Sequence, residues 1–374
     1  MSTHITSTPE IDSLIRANSP VAIGVSGGKD SDAAAFATVD HLDRLGHTGP
    51  RVLIHSDLGR VEWSESLPQC ERLAARLGLE LIVVRRASGD MMDRWLTRWS
   101  NNVARYAALE CVKVILPWST ASMRFCTSEL KTAIICRELV KRFPNSTILS
   151  VAGIRREESP NRAKAEPMKR QNKLTSKTHT SQGFDWLPIL DWTLDEVIGL
   201  HDERQFPLHE AYRTNSRVSC AFCILGSQAD LLASTMWAEH HDLYREMVAL
   251  EIDSSFAFQD SGWLADLAPH LLTTTMRQQL ISAKVAAARR IELESQIPAH
   301  LLYEKGWPKV MPTLSEARML ADVRRGVAQA LGLTIEYTES NAIRARYAEL
   351  MTQAGYPLLE YRGPAVLQQN AMFV

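Results

Sequence analysis

The sequence is poor in cysteine and lacks any long apolar run. Six cysteines in 374 residues are too few for a disulfide framework, so reduced thiols or metal ligands are expected. No stretch approaches the roughly 18 apolar residues that a membrane span needs, and the polar segment 1–20 has no apolar centre of a signal peptide. We therefore expect a cytoplasmic protein with no membrane partner.

The chain also lacks an excess of charge of either sign. Its formal net charge is -1, so nothing global indicates nucleic acid or membrane, and any recognition of an anion must be local. A hydrophobic content of 45% with 23% charged residues is ordinary for a globular protein. The length of 374 residues is sufficient for two domains.

One short tract, which runs from Ser26 to Ser31, predicts a phosphate cradle. It follows the apolar run Val21–Val25 and precedes an alanine-rich segment, as a strand, a glycine-rich turn and a helix start would. Glycines let the backbone approach an anion, and the first N–H groups of a helix point at it. The spacing matches neither common nucleotide-binding fingerprint. The predicted cradle consists of Ser26, Gly27, Gly28, Lys29, Asp30 and Ser31.

The pattern of hydrophobic residues predicts an α/β domain followed by helices. Apolar runs at 52–55, 80–84 and 148–152 alternate with helical patterns, which favours a doubly wound, mostly parallel sheet. From about Ser227 the pattern is helical throughout, with a capping box at Thr313 and Glu316 and a stop at Gly332. We predict a nucleotide-binding domain over residues 1–226 and a helical accessory domain over 227–374.

Three loops are expected to meet beyond the carboxyl ends of the parallel strands, where such sheets bind ligands. They are Ser26–Ser31, Asp57–Glu62 and Gly153–Arg162. The carboxylates of the second loop could hold Mg²⁺ through water or bond a ribose hydroxyl, or they could simply belong to a solvated turn. In the third loop, two arginines flank a serine, which suits forked guanidinium recognition of an anion.

Several motifs in order carry a resemblance to a known family. The S-G-G-K-D-S tract resembles the loop of the PP-loop ATP pyrophosphatases. The pattern G-x-R-x-x-x-S-x-x-R at Gly153–Arg162, an upstream D-x-G, the segment Pro188–Thr193 and Tyr212 are similar to phosphoadenosine phosphosulfate (PAPS) reductase-like proteins. The resemblance implies an adenine nucleotide α-hydrolase-like fold that binds ATP. It also implies nucleotide contacts from Asp57, Gly59, Gly153 and Ser159, and catalytic roles for Lys29, Asp30, Arg155 and Arg162.

The cysteines suggest a metal centre. Cys220 and Cys223 form a C-x-x-C pair where the iron–sulfur members of this family, including DndC-type sulfur-transfer proteins, have cluster ligands, and Cys126 occupies the upstream ligand position. The resemblance implies an iron–sulfur cluster held by three cysteines. Zinc with His209 as a fourth ligand is one alternative, and idle thiols are another. The remaining cysteines lie in helical patterns and are expected in the core: Cys70, Cys111 and Cys136.

A basic segment supports an anionic substrate. Residues 155–177 contain eight basic and three acidic side chains and few apolar ones. This composition predicts a mobile loop, either a lid over the site or a solvated surface connection.

Two departures from the reductases bear on the reaction. No cysteine follows Cys223, and the sequence ends Gln369–Val374, without the cysteine-bearing tail that attacks the sulfonucleotide. The loop also keeps the ATP-binding form. We therefore expect an adenylating enzyme that uses ATP and Mg²⁺ to activate an oxygen of an anionic small molecule or nucleic acid, with a sulfur-donor protein as a further partner. The alternatives are a sulfonucleotide reductase that uses a partner thiol and a non-catalytic nucleotide-sensing subunit.

Overall fold

The computed structural model describes residues 4–360, so the predicted absence of a reductase tail at Gln369–Val374 lies outside the described residues. The chain forms two compact units. The first comprises the residues up to Arg94 together with Ser119–Arg245, and the second comprises Trp95–Trp118 together with the residues from Glu246 onward. Among the helices of the described part, none is long and apolar enough to span a membrane.

The first unit contains a six-stranded sheet in the order β3-β2-β1-β4-β6-β5. All neighbouring pairs are parallel except β5 and β6, which are antiparallel. The predicted α/β class with a mostly parallel sheet is thus confirmed. The strands are β1 (Val21–Gly24), β2 (Arg51–Asp57), β3 (Glu80–Arg85), β4 (Thr147–Val151), β5 (Met168–Arg170) and β6 (Gln182–Trp186).

Both faces of this sheet are covered, which explains the continuous apolar runs of its central strands. Successive residues of a strand point to opposite faces, so Ile23 and Leu53 join one buried cluster. Ala22, Val52 and Ile54 join the cluster on the other face. The central strands are therefore fixed in position by apolar packing on both sides.

Helices flank the sheet and make up the region that follows it. The predicted helix starts and stops are found within a residue or so, because they depend on local caps. The helices are α1 (Pro9–Arg16), α2 (Lys29–Arg44), α3 (Ser66–Leu77), α4 (Met91–Ala107), α5 (Phe125–Thr127), α6 (Ala133–Arg142), α7 (Pro160–Ala163), α8 (Leu194–Arg204), α9 (Gln228–Ser234), α10 (His241–Ser254), α11 (Thr274–Glu294), α12 (Leu314–Leu331) and α13 (Ser340–Gln353).

One local feature is irregular, and one local prediction is wrong. Between α5 and α6, Ser128–Thr132 forms a wider π-helical turn. The basic segment 155–177, predicted as a mobile loop, contains α7 and the edge strand β5. Its Leu174 is fully buried in a core cluster, so the segment is anchored to the sheet.

In the second unit, the capping box of α12 is formed as predicted. The Thr313 side chain accepts a hydrogen bond from the Glu316 N–H, and the Glu316 side chain accepts one from the Thr313 N–H. Gly332 ends the helix in the left-handed conformation with φ 64°. Arg324 of α12 is fully buried, and its guanidinium donates hydrogen bonds to backbone carbonyls of the same unit, including that of Tyr106 at 2.9 Å. The buried Arg324 guanidinium thus links backbone segments of this unit through hydrogen bonds.

Candidate functional site

The loops after β1 and β4 meet at the point where the strand order reverses. These two strands are neighbours. The chain continues from β1 toward the edge formed by β3 and from β4 toward the edge formed by β5. Gly153 at the end of β4 lies against the first turn of α2, since a Cβ atom built on it would be 2.3 Å from the Asp30 carbonyl oxygen. The predicted meeting of Ser26–Ser31 with Gly153–Arg162 is therefore found.

Glycine is required at Gly27 by both conformation and space. Its φ of 74° lies in the left-handed region, and an added Cβ would be 2.9 Å from the Ser66 carbonyl oxygen. Gly28 is the N-cap of α2 and makes no side-chain capping bond. The turn thus brings backbone close to the helix start, where N–H groups can face an anion.

Ser31 holds the loop together. Its hydroxyl donates to the Gly28 carbonyl at 2.7 Å and accepts from the Ser26 N–H at 3.2 Å. Ser26 is the exposed hydroxyl of the tract. Ser31 is therefore a structural brace of the cradle, and Ser26 is available to a ligand.

Lys29 begins α2 and is positioned by a distant tyrosine. The Tyr212 hydroxyl accepts a hydrogen bond from the Lys29 N–H at 3.1 Å and lies 3.5 Å from Lys29 Nζ, which also sits 4.6 Å from the ring centroid. Nζ lies 3.6 Å from an oxygen of Asp30. Burial raises the pKa of Tyr212, so its hydroxyl stays protonated. The ammonium is thus held at the mouth of the cradle.

Arg155 joins the two loops by an ion pair. Its Nε donates to Asp30 at 2.6 Å, its Nη1 contacts Glu157, and the residue is 4% exposed. Burial alone would lower the pKa of Arg155, but the Asp30 and Glu157 carboxylates outweigh this effect and raise the pKa above its ordinary value. The guanidinium therefore keeps its charge. Arg155, predicted to grip a substrate, is here bound to its own chain.

Arg162 is more accessible than Arg155. Its side chain is 34% exposed and pairs with Glu158. Ser159 caps α7, and its hydroxyl accepts a hydrogen bond from the Arg162 N–H at 3.3 Å. The predicted serine and arginine are therefore neighbours in one short helical turn, with the arginine reachable by a ligand.

The second loop also has its carboxylates engaged. Asp57 accepts from the Gly59 N–H at 2.7 Å and from Arg85 Nε at 3.0 Å. Gly59 has φ 71° and packs against Asp90, where an added Cβ would be 2.4 Å from the Asp90 Cβ. Asp57 and Gly59 thus form a braced turn, and a Mg²⁺ ion at Asp57 would have to displace Arg85.

Glu62 is paired with a buried histidine that we did not assign from sequence. His55 Nε2 lies 3.1 Å from Glu62 Oε2, and Nδ1 lies 3.0 Å from the Val25 carbonyl. Burial alone would lower the pKa of His55, but Cys70 and Glu62 raise it to about 10. The protonated ring donates to both oxygens and braces the residue that precedes the cradle.

A second polar network lies beneath the cradle. Asp32 is fully buried and accepts a hydrogen bond from Gln69 Nε2 at 3.1 Å. Burial raises the pKa of Asp32 to about 6, against the opposing effects of Gln69 and the charge of His201. Both ring nitrogens of His201 face carbonyl oxygens, at 3.0 Å from Lys29 and 3.1 Å from Phe206. These side chains support the first turn of α2.

The six cysteines fall into two groups. Cys70, Cys111 and Cys136 are buried, as predicted, whereas the three proposed metal ligands are half-buried. Those three are Cys126 of α5 and the pair Cys220 and Cys223 in the loop before α9.

The three half-buried thiols do not form a closed ligand set in this geometry. Within residues 4–360, no three His, Cys, Asp or Glu side chains are grouped so as to hold a metal ion. Burial raises the pKa of Cys220 to about 12; the charge of Lys131 opposes this rise, and those of Cys223 and Cys126 add to it. The three thiols therefore lie close enough for Cys126 and Cys223 to raise the pKa of Cys220.

His209, the alternative fourth ligand for zinc, has both nitrogens engaged. Nδ1 accepts from the Ala211 N–H at 3.1 Å, and Nε2 lies 3.4 Å from the Ser66 hydroxyl. Burial lowers the pKa of His209 and favours the neutral ring. The ring also backs the phosphate loop, since a Cβ on Gly27 would be 3.3 Å from its Cδ2.

Comparison with known proteins gives one family match and a number of distant structural likenesses, of which two are described below. Residues 20–226, more than half of the chain, match the phosphoadenosine phosphosulfate reductase domain. No curated protein sequence shows significant similarity to the chain.

These two structural likenesses are of low score. The PAPS reductase of Candida auris, in its phosphate complex, is 12% identical with a TM-score of 0.32, and the match covers 56% of this chain and 94% of that one. The U34-tRNA thiolase NcsA of Methanococcus maripaludis, with its [4Fe-4S] cluster, is 14% identical with a TM-score of 0.34, covering 65% of this chain and 77% of that one.

The family match spans the sheet, the cradle after β1 and the Gly153–Arg162 loop, and it ends just after the C-x-x-C pair. The chain therefore belongs to the phosphoadenosine phosphosulfate reductase domain family, within the PP-loop ATP pyrophosphatase superfamily.

Proposed function

We propose that this protein is an ATP-dependent adenylating enzyme. The observation that carries the proposal is the complete S-G-G-K-D-S loop, which lies at the strand-order reversal with Gly27 in a left-handed turn and Lys29 at the start of α2. Such a cradle suits the pyrophosphate portion of ATP, because backbone N–H groups and one ammonium converge on a single anion.

In the proposed reaction, an oxygen of the acceptor attacks the α-phosphorus of ATP. The bond from the α-phosphorus to the bridging oxygen breaks, and pyrophosphate leaves with that electron pair. Lys29 and the loop N–H groups stabilise the negative charge that develops on the leaving group. Mg²⁺, which accompanies ATP, supplies additional neutralisation of the phosphates.

Arg155 and Arg162 have different parts in this scheme. Arg155 keeps Asp30 and the first turn of α2 in place, since it is buried between Asp30 and Glu157. Arg162 is one-third exposed and exchanges Glu158 for an anionic group of the nucleotide or acceptor. A second nucleophile, which we take to be sulfide or the terminal sulfur of a persulfide on a donor protein, then attacks the acceptor atom that bears the activated oxygen, and AMP leaves with that oxygen. In the persulfide case, a second thiol of the donor protein cleaves the resulting disulfide.

A test distinguishes adenylation from sulfonucleotide reduction. Pyrophosphate release is measured with ATP, Mg²⁺ and candidate acceptors, and sulfite release is measured with PAPS or adenylylsulfate and added thioredoxin. Adenylation predicts acceptor-dependent pyrophosphate without sulfite. Sulfite release without pyrophosphate would replace the proposal with a reductase, and nucleotide binding with neither product would indicate a sensing subunit.

We also propose that Cys126, Cys220 and Cys223 move together from the positions they have in this geometry to ligate an iron–sulfur cluster. The support is that these three cysteines alone are half-buried among the six, and all six lie in the described part of the chain. Changing any one to serine should lower iron content and visible absorbance of anaerobically purified protein, because thiolate is the cluster ligand. Cys111→Ser, at a buried thiol, is the control; wild-type protein without iron or zinc would refute the proposal.

A further inference from the structure

A groove beside α6 has a one-sided charge. Its volume is about 480 Å³, and α6 forms one wall while the chain between β5 and β6 forms the other. No acidic side chain lines it. The lining residues, which define the α6 groove, are Ala133, Arg137, Val140, Lys141, Lys173, Ser176 and His179.

The cations of the α6 groove are free of carboxylate partners. The exposed side chains of Arg137 and Lys141 make no hydrogen bond or ion pair with another described residue. Lys173 Nζ donates only to the Ser128 carbonyl, at 2.8 Å. By contrast, the adjacent Arg142 pairs with Glu80. A chain with a net charge of -1 thus leaves a local set of cations unneutralised.

The carboxylate behind the groove does not compensate these charges. Burial raises the pKa of the Cys136 thiol, Asp185 of β6 adds to this rise, and Lys173 opposes it, so Asp185 and Lys173 both lie near this thiol. Its carboxylate accepts a hydrogen bond from Gln171 at 2.8 Å, and it does not line the groove. The open side of the groove is therefore positive.

Two of the cations follow one another along α6, and the third faces them across the groove. Arg137 and Lys141 lie one turn apart on α6, which is about 6 Å along the axis, and Lys173 stands on the opposite wall. A single phosphate would need converging donors, whereas a strand with a charge every few ångströms suits cations in series. The spacing favours a polyanionic chain.

The α6 groove also leads toward the half-buried cysteines. Cys126 precedes Arg137 by eleven residues, along which α5, the π-helical turn and α6 follow one another without a break. Between them, the Ser128 carbonyl accepts a hydrogen bond from Lys173 Nζ of the opposite wall at 2.8 Å. One end of an anionic strand bound in the groove would therefore lie at the N-terminal end of α6, on the side of Cys126.

We propose that the α6 groove binds the phosphodiester backbone of a nucleic acid and that this nucleic acid is the acceptor. Because it names the acceptor, the inference rests on the proposed function. The groove itself holds the backbone without reading bases, since the lining offers cations and one hydroxyl and, apart from the His179 ring, no aromatic side chain.

The test compares Arg137→Gln/Lys141→Gln with wild type in binding fluorescein-labelled single-stranded RNA and DNA of one sequence, about twenty nucleotides long. We expect affinity to fall about tenfold at low salt and the slope of log affinity against log salt to shrink by about 1.4, the value for two lost phosphate contacts on a single strand. The control, Lys305→Gln/Arg318→Gln, removes the same charge from exposed positions of the second unit.

Each outcome decides for or against the groove. Equal loss with RNA and DNA supports a shared backbone site, and loss with one of them identifies the source. Unchanged affinity and slope in a variant with wild-type circular dichroism would overturn the inference. So would displacement of the strand by equimolar inorganic tripolyphosphate, which would indicate a small polyanion.

The binding test contains no ATP, so its failure is separable from failure of adenylation. ATP affinity of the same double variant, measured by calorimetry, should equal that of wild type. If ATP affinity fell with RNA affinity, the groove would belong to the nucleotide site and the inference would be wrong. If RNA binding behaved as expected while no acceptor gave pyrophosphate, the proposed reaction alone would fail.

Discussion

The phosphate loop region and the α6 groove both present positive charge, but they hold it differently. In the former, Arg155 pairs with Asp30 and Arg162 pairs with Glu158, and Lys29 lies 3.6 Å from Asp30. In the latter, Arg137 and Lys141 have no such partner among the described residues. One region is neutralised by its own chain before any ligand arrives, and the other is not.

The cations of the two regions therefore have different roles. Those of the phosphate loop region hold the structure together, and those of the α6 groove attract a ligand. A paired and buried cation fixes the positions of two chain segments, so its removal affects folding as well as binding. An exposed and unpaired cation fixes nothing, so its removal affects only affinity and salt dependence. Variants at the two regions should therefore differ in which property changes, and four experiments test that expectation.

The largest effect is expected at Lys29. In Lys29→Ala, ATP affinity should fall about 100-fold, effectively abolishing binding, because a charge-assisted contact to phosphate is lost. Calorimetry with ATP and Mg²⁺ measures this; the protein should still fold, with some loss of stability because Lys29 also contacts Asp30 and Tyr212. Lys305→Ala is the control for loss of one exposed charge. Unchanged affinity in folded Lys29→Ala would move the nucleotide site elsewhere.

Arg155→Ala should combine loss of binding with loss of stability. The guanidinium is 5% exposed, and its removal leaves Asp30 without that partner, so we expect a cost of about 2–3 kcal/mol in the free energy of unfolding. Urea denaturation measures this cost, and calorimetry measures ATP affinity.

Arg162→Ala is the matched comparison, since its ion pair is one-third exposed. Its stability cost should stay below about 1 kcal/mol, while binding of the anionic part of the nucleotide or acceptor still weakens. Equal stability costs for the two variants would contradict the distinction between a brace and a ligand contact.

Asp32→Asn tests the network below the cradle through its pH dependence. The pKa of buried Asp32 is about 6 in the folded protein against an ordinary 3.8, so the folded state holds this proton more tightly than the unfolded one. Wild-type stability should therefore decrease as pH rises from about 4 to 6 because of this group. Asparagine does not titrate and avoids that loss.

The expected size follows from the shift and from the two pH values compared. Two pKa units correspond to about 3 kcal/mol over the whole titration, and about 2 kcal/mol of this falls between pH 4.5 and pH 8, because Asp32 is already largely ionised at pH 4.5 in the unfolded chain. Urea midpoints of variant and wild type are compared at pH 4.5 and pH 8. The variant should be relatively more stable at the higher pH; a difference independent of pH would exclude titration of Asp32 in this range.

The smallest effect is expected for the stability of Arg137→Gln. Since this side chain is exposed and unpaired in the described structure, the free energy of unfolding should change by less than about 0.5 kcal/mol. Arg142→Gln, which loses an exposed pair with Glu80, serves as the neighbour for comparison. A destabilisation of Arg137→Gln comparable to that of Arg155→Ala would remove the contrast between the two regions.

The features that could be predicted from the sequence are local ones. The strand at Val21–Gly24, the glycine turn and the start of α2 follow one another within a few residues, so the pattern contains the information. The same holds for the Thr313 capping box. Convergence of the first and third loops could be predicted because parallel strands place their carboxyl ends at one edge of a sheet.

The partners of these residues could not be predicted, because they come from far along the chain. Tyr212 is 183 residues from Lys29, His201 is 172 residues from it, and Arg155 is 125 residues from Asp30. No spacing rule links such positions. The motif therefore predicted the cradle, whereas the tertiary fold determines which cations are already occupied.

The short edge strand β5 also affects how copies of the protein meet. An exposed sheet edge is a template for pairing with another strand, and proteins discourage this with short strands and charged residues at the edge. β5 has three residues, of which Lys169 and Arg170 are exposed, and it covers the edge of β6. A second copy that approached this edge would meet like charges and only three backbone positions. The length and charge of β5 are thus the features by which an exposed sheet edge discourages pairing with a second copy.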